Sequence, residues 1–511
     1  MKKTYIFLII YFFLLIDVQS STSISFSSNG EGYTVSDNIV IISNEGSYDL
    51  SGEQTNAKII ISASCTLNLN SFSIFNMGKL TPIVISPNKE VNIILTGNSN
   101  LTDSSTNEND GTIYLQSGAS LTISGTGSLD IYPNKFMAIN GTEETSLTIN
   151  DGASITIAST STDVGGIYLR KAITLNNAKL TYYIENGAHH AIDSEGNIKI
   201  VKGEYYLTSG NGKGIQSEKN LYIGEENGDD SDLTLYINTL NEGIEAMKIE
   251  IYSGSIQIIS GEDGINSASS GTECDSDTVR CSGNCACYIT FKGGLMEIQS
   301  GEDGLDSNGD ITITGGKIMI FAASEGADQP IDQDGLLSII GGAVIATGSS
   351  QMEGGVNANT NQTAKVYKGT INQNSRLVIT DSNEIEIIDI LIPKAANYIY
   401  FNYESSFTVK LNNVEINLSD PTQNNTPGGQ GGPGGPGGEG QNGPGGPGGE
   451  GQNGPGGPGG EGQNGPGIPG GEGQNGPGVQ GGNNTQENDN FSQRYFFGLL
   501  NIILIIGLII L

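Results

Sequence analysis

One short motif, a small residue followed by Ile or Leu and then a polar residue, returns in phase through the middle of this 511-residue chain. Its apolar anchors are Ile113, Ile139, Ile167, Ile192, Ile215, Ile244, Ile265, Leu305 and Ile331, spaced by 26, 28, 25, 23, 29, 21, 40 and 26 residues. Only the 40-residue interval breaks the rhythm, and it holds an insertion with four cysteines. Repeats at such spacing indicate units that bury their apolar faces against one another in a stack. Two more alternating runs follow each anchor, such as Ile311-Thr312-Ile313-Thr314, a Gly315-Gly316 corner, then Lys317-Ile318-Met319-Ile320. The same order recurs at Ile198 to Val201 with Gly203, Ile249 to Tyr252 with Gly254, and Leu337 to Ile340 with Gly341-Gly342. Three strands and three corners per repeat predict an all-β parallel β-helix. A sandwich or barrel has no reason to hold one motif in phase over successive repeats, and no helical periodicity competes.

The rest of the chain divides by composition. Lys2 and Lys3 precede an apolar run and Val18-Gln19-Ser20, which reads as a secretory signal over residues 1–20. The coil spans 21–355, and alternating runs over 356–420 look antiparallel and read as a C-terminal β cap. Residues 421–484 are mostly Gly, Pro, Gln, Asn and Glu, with Glu439, Glu450, Glu461 and Glu472 recurring every eleven residues. With glycine absent from every third position and no apolar group to bury, this is a disordered stalk rather than collagen. Small residues, a polar spacer and the apolar tail Phe496 to Leu511 make 485–511 a GPI-anchor signal or a short transmembrane tail. The expected location is therefore the cell surface, after secretion, anchored to the membrane.

Charge narrows the chemistry. Asp and Glu number 56 against 23 Lys and Arg, a formal charge of −33, which excludes nucleic acid as a natural partner. The two histidines, His189 and His190, are adjacent, and read as surface turn residues at a corner. Carboxylates must carry the chemistry. Stacked parallel strands lie about 4.8 Å apart, so equivalent residues of successive coils form columns. Two places before the anchor the column reads His190, Lys213, Glu242, Asp263, Asp303, Gln329; one place after it reads Asp193, Gln216, Glu245, Asn266, Asp306, Asp332. Acids stacked at that spacing repel one another, and a hard cation relieves them. Calcium takes six to eight oxygens of the kind that Glu242, Glu245, Asp263, Asn266, Asp303 and Asp306 offer. The simpler reading is that Asp-Gly and Asn-Gly form turns in which Gly264 and Gly304 supply positive φ.

Glu242-Gly243-Ile244-Glu245, Glu262-Asp263-Gly264-Ile265-Asn266 and Glu302-Asp303-Gly304-Leu305-Asp306 resemble the acidic motif of a bacterial carbohydrate-binding family of cellulose- and pectin-binding β-helices. Gly46 to Gly52 is similar to that family's N-terminal strand, and the likeness spans about Ile24 to Asn402. The resemblance implies a right-handed, pectate-lyase-like β-helix, calcium as the bound ion, and polysaccharide, cellulose-like or pectin-like, bound without cleavage. The family more often has Asp-Asp where this chain has Glu262-Asp263 and Glu302-Asp303.

With no Trp in the chain, an aromatic platform would fall to Tyr182, Tyr183, Tyr205, Tyr206, Tyr222, Tyr236 and Tyr252, and no sugar contact is assigned. Two other functions stand beside a non-catalytic binder: a calcium-dependent polysaccharide lyase, with Arg280 or Lys292 as base, and a stalked adhesin or coat protein with a protein ligand. The spacing of Cys274, Cys281, Cys285 and Cys287 lacks paired zinc knuckles and suits two disulfides in an oxidising compartment, with connectivity open. Cys65 reads as a buried free thiol, and Asn100, Asn140, Asn361 and Asn417 are glycosylation sequons.

Overall fold

A computed structural model describes residues 22–421, apart from 27, 78–79, 105–110, 135, 269–285, 325–327, 350–355 and 357. The signal, most of the stalk and the apolar tail lie outside the described residues, as do Arg280, Cys274, Cys281 and Cys285. Among the described residues no helix is long and apolar enough to cross a membrane.

The chain winds as a parallel β-solenoid. The anchors pair in register throughout: Ile113 with Ile139, Ile139 with Ile167, Ile167 with Ile192, and Ile192 with Ile215. Ile215 then pairs with Ile244, Ile244 with Ile265, Ile265 with Leu305, and Leu305 with Ile331. The 40-residue gap leaves this register intact: its extra residues fall in sequence between strands Ile265–Ser267 and Tyr288–Phe291, and Ile265 still pairs with Leu305. The column also extends upstream through Val40, Ile59 and Ile83, which the motif does not mark because Ile41, Ile60 and Val84 stand where it has a polar residue. At the N-terminal end Tyr33–Ser36 folds back antiparallel on Ile39–Ile42.

Each coil presents an anchor face, a second face and a third face, illustrated by Ile192–Ser194, Asn197–Ile200 and Gly203–Ser209. Strand residues alternate inward and outward, and the inward Ile, Leu and Val form one continuous core along the coil. Each buried Ile stabilises the coil by roughly 1.5–3 kcal/mol. A one-residue slip would expose a whole set of them, so the apolar pattern enforces the register. Of the tyrosine pairs, Tyr182 and Tyr205 are the buried members, and Tyr183 and Tyr206 face outward.

Glycine enters for two different reasons. At the corners between second and third faces, Gly203, Gly254, Gly316 and Gly342 have φ of 120°, 118°, 88° and 80°. Gly264 and Gly304, expected to need positive φ, do not have it, and that expectation is corrected. Space is what they lack. A Cβ on Gly264 would come within 2.3 Å of Ile298 Cγ2 and 2.5 Å of the Gly304 carbonyl oxygen, and Gly214, Gly243 and Gly304 are crowded in the same way.

Beyond the last coil strand, Leu337–Gly348, strand Ala396–Tyr403 pairs antiparallel to it and to Thr363–Ile371. A separate antiparallel sheet of Arg376–Asp381, Glu386–Leu391, Phe407–Leu411 and Val414–Glu415 follows. Its Leu377, Ile379 and Val409 pack with Met319, Phe321 and Ile345 of the last coils, which covers apolar surface there. Lys394 reaches back to donate to the Ser300 carbonyl, and burial lowers its pKa.

Candidate functional site

The acids of the anchor face stand where column reasoning places them. Backbone pairing carries the register through the two residues before each anchor: Gly243 N–H donates to Asp263 O and Gly264 N–H to Asp303 O, both at 2.9 Å. One place after the anchor, Tyr168, Asp193, Gln216, Glu245, Asn266, Asp306 and Asp332 pair in unbroken succession. Asp263, Asp303 and Asp306, far apart in the chain, are thereby neighbours.

Their electrostatics follow from that placement. Burial first, then Asp306 and Glu242, push Asp263 up to about 8. Burial together with Asp263, Asp332 and Asp306 pushes Asp303 up to about 9, against a lowering hydrogen bond from the Gln329 amide. Asp306 is pushed up to about 7 by burial, Asp332, Asp334 and Glu242, and Asp332 itself is raised. Glu262 and Glu302 are raised too, again mainly by desolvation.

Two features divide the six expected ligands. Lys213, which sequence reasoning put in the column without assigning it a task, ion-pairs with Glu242 at 3.0 Å and with Glu245. These three side chains are only 15–18% exposed, so the pairing is weakly screened. The second feature is backbone capping. Asp263 Oδ1 accepts the Asp303 N–H at 2.9 Å, and Asp303 Oδ1 accepts the Gln329 N–H. His190 does the same three turns before Asp263: its Nδ1 accepts the Lys213 N–H at 2.9 Å. His190 is therefore not a surface turn residue. Burial, Lys213 and His189 depress it to about 4, which keeps the ring neutral. His189 packs edge-on against Phe136, 3.6 Å from Asp163.

The donor chemistry suits a hard cation. Every candidate ligand is oxygen, the carboxylates are desolvated beside one another, and the Asn266 Oδ1 is buried without a hydrogen-bond partner while its Nδ2 donates to Glu242 at 3.4 Å. Among the described residues, however, no three His, Cys, Asp or Glu side chains converge as a metal centre. Asp263, Asn266, Asp303 and Asp306 are the group that could hold calcium; Glu242 and Glu245 are already engaged by the one Lys213 ammonium.

Lys292, weighed as a lyase base, lies on the second face. It donates to Glu250 at 2.7 Å and covers the Tyr252 ring at 4.3 Å, and the Glu250 bond raises its pKa. A lysine held protonated in this way is a poor base.

The profile of the carbohydrate-binding domain-containing protein family matches residues 36–234 and 231–387, most of the coil and both halves of the acid ladder. The chain belongs to that family. Carbohydrate binding is the activity this membership supports, and a polysaccharide is the partner it suggests. Comparison with curated proteins and with solved structures gives no match.

The carbohydrate-binding coil has other features that bear on its use. Cys65 is free and buried, and burial pushes its thiol up to about 12, so it is inert core. Cys287 is buried against Met247 and Ala286. Of the sequons, Asn361 and Asn417 are exposed and Asn100 is half-buried, whereas Asn140 lies within strand Met137–Gly141 at 5% exposure, where a glycan has no room.

Proposed function

We propose that this member of the family is a non-catalytic, calcium-dependent polysaccharide-binding protein held at the cell surface. The observation that carries the calcium dependence is the in-register stacking of Asp263, Asp303 and Asp306 beside the Asn266 amide, the three carboxyl groups being too desolvated to coexist as anions without a counter-charge. Bound calcium supplies that positive charge and exchanges protons for metal on the acids. The chain's own contribution is to hold the donors at strand spacing and to spend one oxygen each of Asp263 and Asp303 on backbone amides, which fixes their rotamers. Lys213 ion-pairs with Glu242 and Glu245 beside them.

The non-catalytic reading is supported by the family and by the tied Lys292. The signal at 1–20, the stalk and the anchor at 485–511, GPI-type or transmembrane, support surface display, and an oxidising compartment supports disulfides among Cys274, Cys281, Cys285 and Cys287. A glycan array run on the purified full chain with calcium and with EDTA tests the proposal. Polysaccharide binding that EDTA abolishes or weakens supports it. Glycan silence with retained cell adhesion would point to a protein ligand, and release of unsaturated uronides would point to a lyase.

A further inference from the structure

The acid ladder is flanked, on its N-terminal side, by a differently built part of the same face. An open cleft of about 500 Å³ lies there, within the roughly 300–1,000 Å³ range of ordinary small-molecule sites. Tyr168, Asp193 and Gln216 enter it as consecutive members of the column after the anchors, and His190 comes from the column before them. Glu195, Glu218 and Lys219 close it from the bends that follow.

Strand Ile215–Ile223 is irregular at this point. Its register with Ile244–Ile251 shifts between Ser217 and Asn220, and Ser217 Oγ accepts the Lys219 N–H at 3.3 Å while donating to the Gly196 carbonyl at 2.7 Å. Such a bulge turns side chains away from the regular alternation, and here it presents Glu218 and Lys219 at the cleft.

We infer that this cleft is a calcium-independent binding site for a neutral, hydroxyl-rich sugar unit. The inference rests on the carbohydrate reading and deepens it. The lining offers donors and acceptors side by side. Because His190 Nδ1 already accepts the Lys213 amide, the neutral ring carries its proton on Nε2 and is a donor there. Gln216 supplies both kinds of group and Lys219 donates, while Asp193, Glu195 and Glu218 accept. Tyr168 supplies an aromatic wall whose hydroxyl donates to Glu195 at 2.6 Å, with Arg170 over its ring at 5.8 Å.

Each sugar hydroxyl is both donor and acceptor, so a pyranose ring can satisfy such a mixed set, whereas an apolar ligand would strand it. A uronate meets Glu195 and Glu218 beside Asp193, which burial and these two carboxylates push up to about 7, while Arg170 is already paired with Glu195, so Lys219 is the cation left for it and a neutral sugar fits better. A bare cation is the weaker fit, since Glu195 already takes the Tyr168 hydroxyl and lies 3.4 Å from Arg170, and Glu218 accepts from Gln216 at 3.3 Å. Lys213 separates the cleft from the calcium ladder: its amide is turned to His190 and its ammonium to Glu242 and Glu245.

Binding of cello-, manno- and xylo-oligosaccharides, with oligogalacturonate as the acidic control, is measured by calorimetry on the full chain in EDTA and again in calcium. The expected result is binding of at least one neutral oligosaccharide in EDTA, weakened about tenfold or more by Tyr168→Ala and by Lys219→Ala. Tyr168→Phe, which keeps the ring, retains most of the affinity. Lys219 is exposed, so its variant guards against a folding defect, and melting curves check both. Equal affinity in both alanine variants, oligogalacturonate preferred in EDTA, or sugar binding seen only with calcium would overturn the cleft assignment while leaving the carbohydrate reading intact. No sugar bound under either condition would overturn both.

Discussion

Asp303→Asn separates the cost of the acid ladder from its use. The variant keeps Oδ1 to accept the Gln329 amide and removes only the charge. In the folded, metal-free chain Asp303 is raised from 3.8 to about 9, so folding is favoured below the ordinary carboxylate range and that favour is lost as pH rises toward 9. At pH 8 the shift corresponds to an upper bound of about 6 kcal/mol at about 1.4 kcal/mol per pH unit, and relaxation and coupling to Asp263 reduce the expected effect to about 2–3 kcal/mol. Thermal and urea unfolding in EDTA should therefore find Asp303→Asn more stable than the parent at pH 8 and equal to it near pH 4. Calcium at pH 8 should reverse the order, because the parent gains a ligand that the variant has weakened. A variant that is less stable than the parent at pH 8 in EDTA would refute the reasoning, since it would mean that the Asp303 charge is already well compensated in the metal-free fold.

Lys213→Met leaves Glu242 and Glu245 without their cation, and stability in EDTA at pH 8 should fall by about 3 kcal/mol; urea titration with and without calcium measures the loss and how much of it the ion restores. Gly264→Ala places a methyl against Ile298 and the Gly304 carbonyl, with an expected cost of about 1–3 kcal/mol and weaker calcium binding as the two coils separate. Substitution at Gly52, where a Cβ meets nothing within 4 Å but φ is 78°, reports the cost of left-handed backbone without crowding, against which the Gly264 loss is compared. His190 should stay neutral down to about pH 4. Its lowered pKa means that its contribution to stability is present above the ordinary histidine range and fades as pH falls through 4. Carbon chemical shifts of the only two imidazoles check this directly, and a His190 midpoint near 6.5 would show that the Lys213 amide contact does not form.

Much of the fold is legible in the sequence because each coil must bury one apolar residue at the same place. The spacing of Ile113 through Ile331 states which residues stack, and the chemistry of the adjacent columns follows without any knowledge of loops. The acids at 263, 303 and 306 are found in this way. Val40, Ile59 and Ile83 escape because an apolar residue, Ile41, Ile60 or Val84, follows each of them, and burial alone leaves no mark that distinguishes an anchor from any other strand residue.

Column membership says which residues are neighbours along the coil, and it is silent on how side chains turn and how closely separate columns approach. The structure alone decides that Lys213 reaches Glu242 and Glu245, that His190 is half-buried with Nδ1 held by the Lys213 amide, and that Gly264 is small because a neighbouring Ile and carbonyl fill its space. It alone brings residues from three columns and a bulged strand around one cleft. Periodicity is a one-dimensional constraint set by burying apolar surface, whereas charge pairing, crowding and cavities depend on distances across coils that only packing determines.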